Sequence, residues 1–286
     1  MTNNKNMKTL LILLIILSLS SAAFAYSEIT GAALLDDIIN FFLQLFGTQP
    51  AAQAGPCSPD APKPTSGTRT LTHQGQQRSF NVHIPSSYNG NPVPVVFNFH
   101  GLSSNAGQQE MLSKMTPKAD KEGFIVVYPE GIDNSWNAGG SRGSNADDVG
   151  FTSAMIDNLA ADICIDQNRI YSTGMSAGGM FSHRLACELS NRIAAIAPVA
   201  GPLLLDTCNP SRPISVMHFH GTADNSVPYD GSSWAPSAPK TVADWAARNS
   251  CSSTLVTTYS KGDSHCETYL NCAQGTEVTL CTVDGG

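Results

Sequence analysis

The pattern of apolar and polar positions divides the chain at about residue 67. From Thr68 onward, short runs rich in Val, Ile and Phe alternate with stretches whose apolar residues recur at helical spacing. Seven segments are predicted to be strands: Ser79–Ile84, Val93–Phe99, Phe124–Tyr128, Arg169–Thr173, Ile193–Val199, Ile214–Phe219 and Glu277–Val283. Helices are predicted at about 107–121, 148–163, 178–190 and 238–249. This alternation predicts an α/β domain over residues 68–286, with a mostly parallel sheet flanked by helices.

The first 67 residues follow a different pattern. Lys5 and Lys8 precede a short apolar run, and small residues lead to Ala25, so residues 1–25 are predicted to be a secretory signal peptide. The run is well short of the roughly 20 apolar residues that span a bilayer. Residues 26–46 have amphipathic helical spacing, and residues 47–67 have the Pro-, Ala- and Ser-rich composition of a linker. The apolar face of the amphipathic segment could pack on the protein's own domain, on a membrane surface or on a hydrophobic substrate. Packing on its own domain is favoured, because it is the commonest case.

Composition and charge exclude two broad classes of protein. Hydrophobic residues make up 41% of the chain and charged residues 14%, which is the opposite of a disordered chain. The net charge is −7, and the 16 Lys and Arg residues form no basic cluster. Nucleic-acid binding needs clustered positive charge, so a nucleic-acid partner is not expected.

The cysteines agree with export. All eight follow the predicted cleavage site, and an oxidising compartment favours disulfides. Their connectivity is open, although the four between Cys251 and Cys281 are close enough in sequence to pair with one another. No two C-x-x-C pairs have the spacing of a zinc site, so neither a metal nor another cofactor is expected.

The pattern G-x-S-x-G occurs twice, around Ser141 and around Ser176. A nucleophilic serine on such a motif must follow a strand, turn sharply and enter a helix. Ser176 meets this requirement, since it lies between the strand predicted at Arg169–Thr173 and the helix predicted at 178–190. Ser141 has no strand before it and no helix directly after it. Ser176 is therefore the candidate nucleophile, and Ser141 is predicted to lie in a loop.

A nucleophilic serine also requires oxyanion donors and an acid that orients its base. The first donor is expected to be the N–H of Ala177, and the second the N–H of Leu102, with Gly101 as the alternative, in the turn after Val93–Phe99. Asp224 follows the strand predicted at Ile214–Phe219, at the carboxyl edge where α/β sheets carry their sites, and it is the candidate acid.

Several other polar residues are assigned structural roles. His100 is expected to hold the turn that contains Leu102 rather than to act as the base. His218 and His220 would share one face of a strand, but no third ligand is nearby, so core and turn positions are favoured over a metal site. Asp147 and Asp148 precede Ser176 at a helix start, where Asp148 is expected to act as the cap.

Six sequence strings together resemble the secreted polyhydroxybutyrate depolymerase and feruloyl esterase group of α/β-hydrolases. They are Trp136–Gly140, Asp147–Phe151, Gly174–Gly179, Arg184–Leu189, Ile196–Gly201 and His220–Asp224. The resemblance covers about residues 68–286. It implies an α/β-hydrolase fold and a serine ester hydrolase, with Ser176 and Asp224 at the positions of the nucleophile and acid. It also implies that the Trp136 loop borders the substrate cleft.

The third member of the catalytic triad is where the sequence departs from this group. The group's base is the histidine of a Gly-Gly-His segment after the last strand, whereas this sequence ends at Asp284-Gly285-Gly286. One hypothesis is a truncated sequence whose histidine lies just beyond Gly286. The alternatives are that His265 is recruited as the base, or that the protein binds esters or polymers without hydrolysing them.

The resemblance leaves several substrates open. Feruloyl esters of plant polysaccharides, acetylated xylan and polyesters all fit, with a slight preference for a feruloyl-type or small ester. The enzyme would be secreted or periplasmic, would need no cofactor and would have no stable membrane insertion. The sequence does not indicate an oligomeric state.

Overall fold

A ten-stranded mixed sheet forms the frame of the protein. The computed structural model describes Cys57 and residues 64–140 and 143–286; the predicted signal peptide and amphipathic segment lie outside these residues. The strands are β1 Gly67–His73, β2 Gln76–His83, β3 Val93–Phe99, β4 Ile125–Pro129, β5 Ile165–Met175, β6 Ala195–Val199, β7 Ser215–Gly221, β8 Leu255–Lys261, β9 Ser264–Tyr269 and β10 Val278–Val283. Their order across the sheet is β1-β2-β4-β3-β5-β6-β7-β10-β9-β8.

The six strands from β4 to β10 in this order are parallel, and the flanking strands on both sides are antiparallel. Within the described residues, five α-helices connect or follow the strands: α1 Ala106–Ser113, α2 Met115–Glu122, α3 Asp148–Asp162, α4 Ala177–Glu188 and α5 Ala238–Arg248. The predicted α/β fold with a mostly parallel sheet is therefore confirmed. No helix in the described part of the chain is long and apolar enough to span a membrane.

The helix predicted at about 107–121 is two helices, because Lys114 adopts a left-handed conformation between α1 and α2. Pro117 explains the break. A proline inside a continuous helix lacks its N–H and clashes with the carbonyl four residues earlier, here that of Ser113, whereas the first turn of a new helix tolerates it. β1, β8 and β9 were not predicted as strands. β1 and β8 are mostly exposed edge strands, so they lack the strong apolar pattern of the central strands.

Aromatic packing supports the carboxyl end of the central strands. Phe99, at the end of β3, contacts Trp136 and Phe181 edge-on, with ring centroids 5.0 and 4.9 Å apart. Trp136 and Phe181 stack on each other at 5.4 Å. All three side chains are fully buried. They pack the end of β3, the Trp136 loop and helix α4 against one another, close to the turn that contains Ser176.

All eight cysteines form disulfides: Cys57–Cys164, Cys187–Cys208, Cys251–Cys272 and Cys266–Cys281. The last two confirm that the four C-terminal cysteines pair among themselves. Cys57–Cys164 joins residues 107 apart in sequence and fastens the chain before β1 to the start of β5. Four disulfides are typical of proteins that fold in an oxidising compartment.

Candidate active site

Ser176 lies at the turn between β5 and α4. Its backbone has φ 54° and ψ −118°, a conformation that is unfavourable for a residue with a side chain. Hydrogen bonds hold it there, because its N–H donates to Val199 O at 2.9 Å and its carbonyl accepts from Met180 N at 2.9 Å. The turn is thus fastened both to β6 and to the first turn of α4. Strain held in place by its surroundings is a common feature of functional positions.

Glycines allow the turn to pack closely. A Cβ on Gly178 would collide with the backbone of Phe99 and would lie 2.8 Å from His100 O. A Cβ on Gly201 would collide with the carbonyl of Ser176. These two positions therefore bring α4 against the end of β3, and the chain after β6 against Ser176.

The predicted oxyanion donors belong to two different elements next to Ser176. Ala177 is the first residue of α4, so its N–H has no acceptor within the helix. The turn after β3 also lies beside the serine, since a Cβ built on Gly101 would be 3.7 Å from Ser176 Cβ. The next residue, Leu102, is 58% exposed. The structure thus brings Leu102, Ala177 and Ser176 into one region.

Hydrogen bonds to His100 fix the turn that contains Leu102. The buried His100 ring accepts from Gly131 N–H at Nε2 and donates from Nδ1 to Gly101 O, at 3.0 and 2.7 Å. Trp136 Nε1 donates to the His100 carbonyl at 2.9 Å. Burial lowers the pKa of His100, so the ring is held neutral with its proton on Nδ1. These contacts match the expected structural role of His100.

Asp224 lies in the loop after β7. Its Oδ1 accepts from the N–H groups of Ser226 and Val227 at 2.8 and 2.9 Å. Its Oδ2 lies 3.6 Å from His220 Nε2, and the side chain is 19% exposed. One carboxylate oxygen is therefore fixed by the loop, while the other is placed to receive a further donor.

The backbone at Gly286 lies against the same loop. Its carbonyl accepts from Ala223 N–H at 2.8 Å, and Gly285 N–H donates to Thr222 Oγ1 at 2.8 Å. A Cβ on Gly221 would collide with Gly286. The segment after β10 is thereby hydrogen-bonded to Thr222 and Ala223, the two residues that precede Asp224.

Among the described residues, His265 contacts β10 and Asp284, and neither of these contacts is with Ser176. It lies on β9, where it pairs with Thr282 of β10, and its Nδ1 is 3.7 Å from Asp284 Oδ2. The following residue, Cys266, is in the disulfide with Cys281. Ser141 lies outside the described residues.

Asp147, and not Asp148, is the cap of α3. Its side chain accepts from Gly150 N–H at 2.9 Å, which corrects the expectation by one residue. Asp148 is buried, forms a 2.8 Å ion pair with Arg78, and accepts from Asn137 N–H at 2.8 Å. Asp148 therefore anchors the Trp136 loop to β2 and α3. The reason is the helical spacing, which turns Asp148 inward and Asp147 toward solvent.

His218 and His220 lie on one face of β7, as predicted, and both are buried. Their rings are hydrogen-bonded to each other at 3.1 Å, and His218 is also bonded to His183 of α4 at 3.3 Å. No group of side chains among the described residues could hold a metal ion. Sequence reasoning missed His183 because it lies 35 residues before His218, with β6 between them, and only the H-x-H pattern hinted at the cluster.

Comparison with known proteins places this geometry in a family. The model of the family described as "Esterase PHB depolymerase" matches residues 78–239, which include Leu102, Ser176, Ala177 and Asp224. The chain belongs to this esterase family. Feruloyl esterase D of Neurospora crassa is 30% identical over 209 residues, which cover 68% of this chain and 70% of that protein.

Two further relatives are longer proteins. Feruloyl esterase B of Piromyces equi is 34% identical over 72% of this chain and 41% of its own length. A bifunctional acetylxylan esterase/xylanase of Neocallimastix patriciarum is 34% identical over 54% of this chain and 23% of its own length. The matched regions therefore span less than half of each of these two relatives.

Solved structures support the fold. The acetyl xylan esterase from Aspergillus awamori superposes with a TM-score of 0.61 at 13% identity, covering 77% of this chain and 93% of that one. A thermostable esterase superposes with a TM-score of 0.54 at 20% identity, covering 64% of this chain and 52% of that one. These α/β-hydrolases share the architecture of the sheet and its flanking helices.

Proposed function

We propose that the protein is a serine carboxylic-ester hydrolase with Ser176 as its nucleophile. The observation that carries this proposal is the turn between β5 and α4, which holds Ser176 at φ 54° and ψ −118° directly before a helix. A serine on such a strand–turn–helix lies at the carboxyl edge of the sheet, as acyl transfer requires, and Ser176 is half-buried there. Family membership and the esterase relatives support the same reaction class.

The reaction has two steps. A base takes the proton of Ser176 Oγ, the oxygen attacks the ester carbonyl, and the N–H groups of Leu102 and Ala177 stabilise the oxyanion. The tetrahedral intermediate collapses to an acyl-enzyme, and the base gives its proton to the departing alcohol. Water then attacks the acyl-enzyme with the help of the same base and releases the carboxylic acid. Asp224 orients the base, and the reaction needs no cofactor.

The proposed base is a histidine that directly follows Gly286 in the active protein. The support is the position of Gly286, whose carbonyl accepts from Ala223 N–H beside Asp224. The next residue would continue from a backbone that is hydrogen-bonded to Ala223, the neighbour of Asp224. Asp224 Oδ1 already accepts two N–H groups, whereas Oδ2 has its nearest donor, His220 Nε2, at 3.6 Å. A neutral imidazole at that point has the donor and the acceptor that an acid–base–nucleophile arrangement needs.

The proposed substrates are feruloyl or acetyl esters of plant polysaccharides, with polyesters as the alternative. Two of the relatives are named feruloyl esterases, and one is named an acetylxylan esterase/xylanase. The four disulfides support a protein that is exported to the medium or periplasm.

The test compares the 286-residue chain with chains that carry one added residue after Gly286, either histidine or alanine. Hydrolysis of methyl ferulate, nitrophenyl acetate and polyhydroxybutyrate film is measured for each. We expect activity with added histidine, and little activity with added alanine or none added. Ser176→Ala in the histidine-extended chain is expected to lower kcat by more than about 10⁴-fold. The same substitution at the exposed Ser87 serves as the matched control.

Imidazole in the buffer separates the remaining outcomes. Partial rescue of the alanine-extended chain by imidazole would support a missing base at this position. Equal and strong activity in all three chains would reject the proposed base. Unchanged activity in Ser176→Ala would reject the nucleophile. Binding of esters without hydrolysis in every chain would favour the ester-binding alternative.

A further inference from the structure

Three buried histidines form a row of hydrogen bonds between helix α5 and the loop after β7. The row begins where Trp245 Nε1 meets His183 Nδ1 at 2.9 Å. It continues from His183 Nε2 to His218 Nδ1 at 3.3 Å, and from His218 Nε2 to His220 Nδ1 at 3.1 Å. It ends where His220 Nε2 meets Val227 O at 2.7 Å. The three histidines are at most 2% exposed.

The two ends fix the direction of every bond in the row. An indole N–H can only donate, and a carbonyl oxygen can only accept. Trp245 therefore donates to Nδ1 of His183, which leaves the ring's own proton on Nε2. The same step repeats at His218 and His220. All three rings are then neutral Nε2–H tautomers, and every N–H points from α5 toward Val227.

Burial keeps the rings of His183 and His218 neutral. It lowers the pKa of His183 to about 3, helped by the positive charge of Arg248. Burial also lowers the pKa of His218, with smaller effects from its two histidine neighbours. A second proton on any ring would place N–H against N–H, because each Nδ1 already faces a donor. His220 faces the Asp224 carboxylate and the ring of Tyr229.

Val227 joins this row to Asp224. Its carbonyl accepts from His220, while its N–H donates to Asp224 Oδ1 at 2.9 Å. Asp224 Oδ2 lies 3.6 Å from the same His220 Nε2. A displacement of the His220 ring would therefore act on both oxygens of Asp224. It would move the Val227 backbone, whose N–H binds Oδ1, and it would move the His220 N–H dipole near Oδ2.

We propose that His183, His218 and His220 are positioning residues that hold the Asp224 carboxylate in place for ester hydrolysis. The inference rests on the proposed function through the role of Asp224. Apolar residues could fill the same volume, but they would leave the buried Val227 carbonyl without its donor. Aligned hydrogen bonds in a low-dielectric interior reinforce one another, so the row presents the positive ends of its N–H dipoles to the acid loop.

The first experiment replaces His220 in the histidine-extended chain. His220→Leu removes the donor to Val227, whereas His220→Gln offers a side-chain amide that can both accept and donate. We expect amide hydrogen exchange at Ser226 and Val227 to be about tenfold faster in His220→Leu. His220→Gln is expected to stay close to the wild type. The variant whose Ser226 and Val227 amides exchange faster is also expected to have a lower kcat for methyl ferulate, while its KM changes little.

The second experiment acts at the α5 end of the row, opposite to the end that contacts the Asp224 loop. Trp245→Phe keeps an aromatic ring but removes the indole N–H, so His183 is free to adopt the other tautomer. Nitrogen-15 NMR of the imidazoles is expected to give three Nε2–H tautomers in the wild type, and a share of Nδ1–H at His183 in this variant. If His220→Leu does not fold, exchange at Ser226 and Val227 in Trp245→Phe provides the same readout.

The outcomes separate this inference from the proposed function. Unchanged exchange in His220→Leu, or an Nδ1–H tautomer in the wild-type row, would overturn the positioning role. Faster exchange with unchanged kcat, in a protein that Ser176→Ala inactivates, would overturn it as well. Faster exchange in a protein without any hydrolysis would reject the proposed function, and the effect of the row on the loop would stand.

Discussion

At the scale of single residues, Arg78 and Asp148 show how a buried charge pair can hold a loop. Their side chains are 4% and 0% exposed, and the guanidinium lies over the Phe151 ring at 4.0 Å from its centroid. The other carboxylate oxygen accepts from Asn137 N–H and from the Ser144 hydroxyl. Because both oxygens of Asp148 are engaged, the pair fixes the segment that follows Trp136 as well as the start of α3.

Asp148→Asn is expected to destabilise the protein by about 3–5 kcal/mol, because it leaves the Arg78 charge buried without its partner. Urea unfolding of the two proteins measures this loss. Asp147→Asn is the matched control. Asn caps a helix about as well as Asp, and the surface contact of Asp147 with His73 contributes little. Equal losses in the two variants would contradict the role given to the buried pair.

At the scale of elements, the central strands and the helices could be predicted because each carries its own signal. β3 is apolar except for Asn98 and is buried along its whole length, and it was predicted with the bounds that the structure gives it. β9 pairs with β10, and β8 pairs with β9, so the structure of both depends on a neighbouring strand rather than on an apolar pattern. The break at Lys114 was missed, although Pro117 was a visible signal.

The candidate site divides in the same way. Ser176, Ala177 and Leu102 each lie within three residues of the end of a strand, so local sequence was enough to propose them. The row of histidines could not, because it joins α4, β7, α5 and the loop after β7, whose residues are far apart in sequence. Asp147 is the helix cap and Asp148 is the buried acid, and these two roles depend on which face α3 turns inward. That choice is made by tertiary packing, and a local pattern does not contain it.

The turn between β5 and α4 provides a prediction at this scale. Gly178→Ala would push a Cβ into the backbone of Phe99, so α4 would have to move away from β3. We expect a loss of about 1–3 kcal/mol in the free energy of unfolding. The histidine-extended chain should lose activity as well, because Ser176 moves with the helix. Urea unfolding and methyl ferulate hydrolysis measure the two effects.

Gly107→Ala is the control for this prediction, since α1 leaves space at that position and the nearest atom, Asn105 Oδ1, is 3.6 Å from the added Cβ. Replacing a glycine inside a helix by alanine should stabilise by about 0.5–1 kcal/mol. A neutral effect of Gly178→Ala on both stability and activity would contradict the close approach of α4 to β3.

At the scale of the whole molecule, buried neutral histidines make folding depend on pH. Burial lowers the pKa of His100, His183 and His218 below the usual 6.5. The unfolded chain therefore binds protons near pH 6.5 that the folded protein does not accept. Stability is fully present above about pH 6.5, and it falls as the pH is lowered toward the folded pKa, which is about 3 for His183.

The expected loss approaches about 1.4 kcal/mol per pH unit for each histidine that stays neutral. Urea unfolding between pH 7.5 and 5 measures it, in a range where Asp147, whose pKa is lowered below 3.8, stays ionised in the folded protein.

His183→Gln removes one titrating group and should make the pH dependence of stability shallower. Trp245→Phe removes the hydrogen bond to the same ring but keeps the histidine, so it should lower stability at every pH without changing the slope. An unchanged slope in His183→Gln would mean that this ring already accepts a proton in the folded protein, and the single direction of the row would then fail with it.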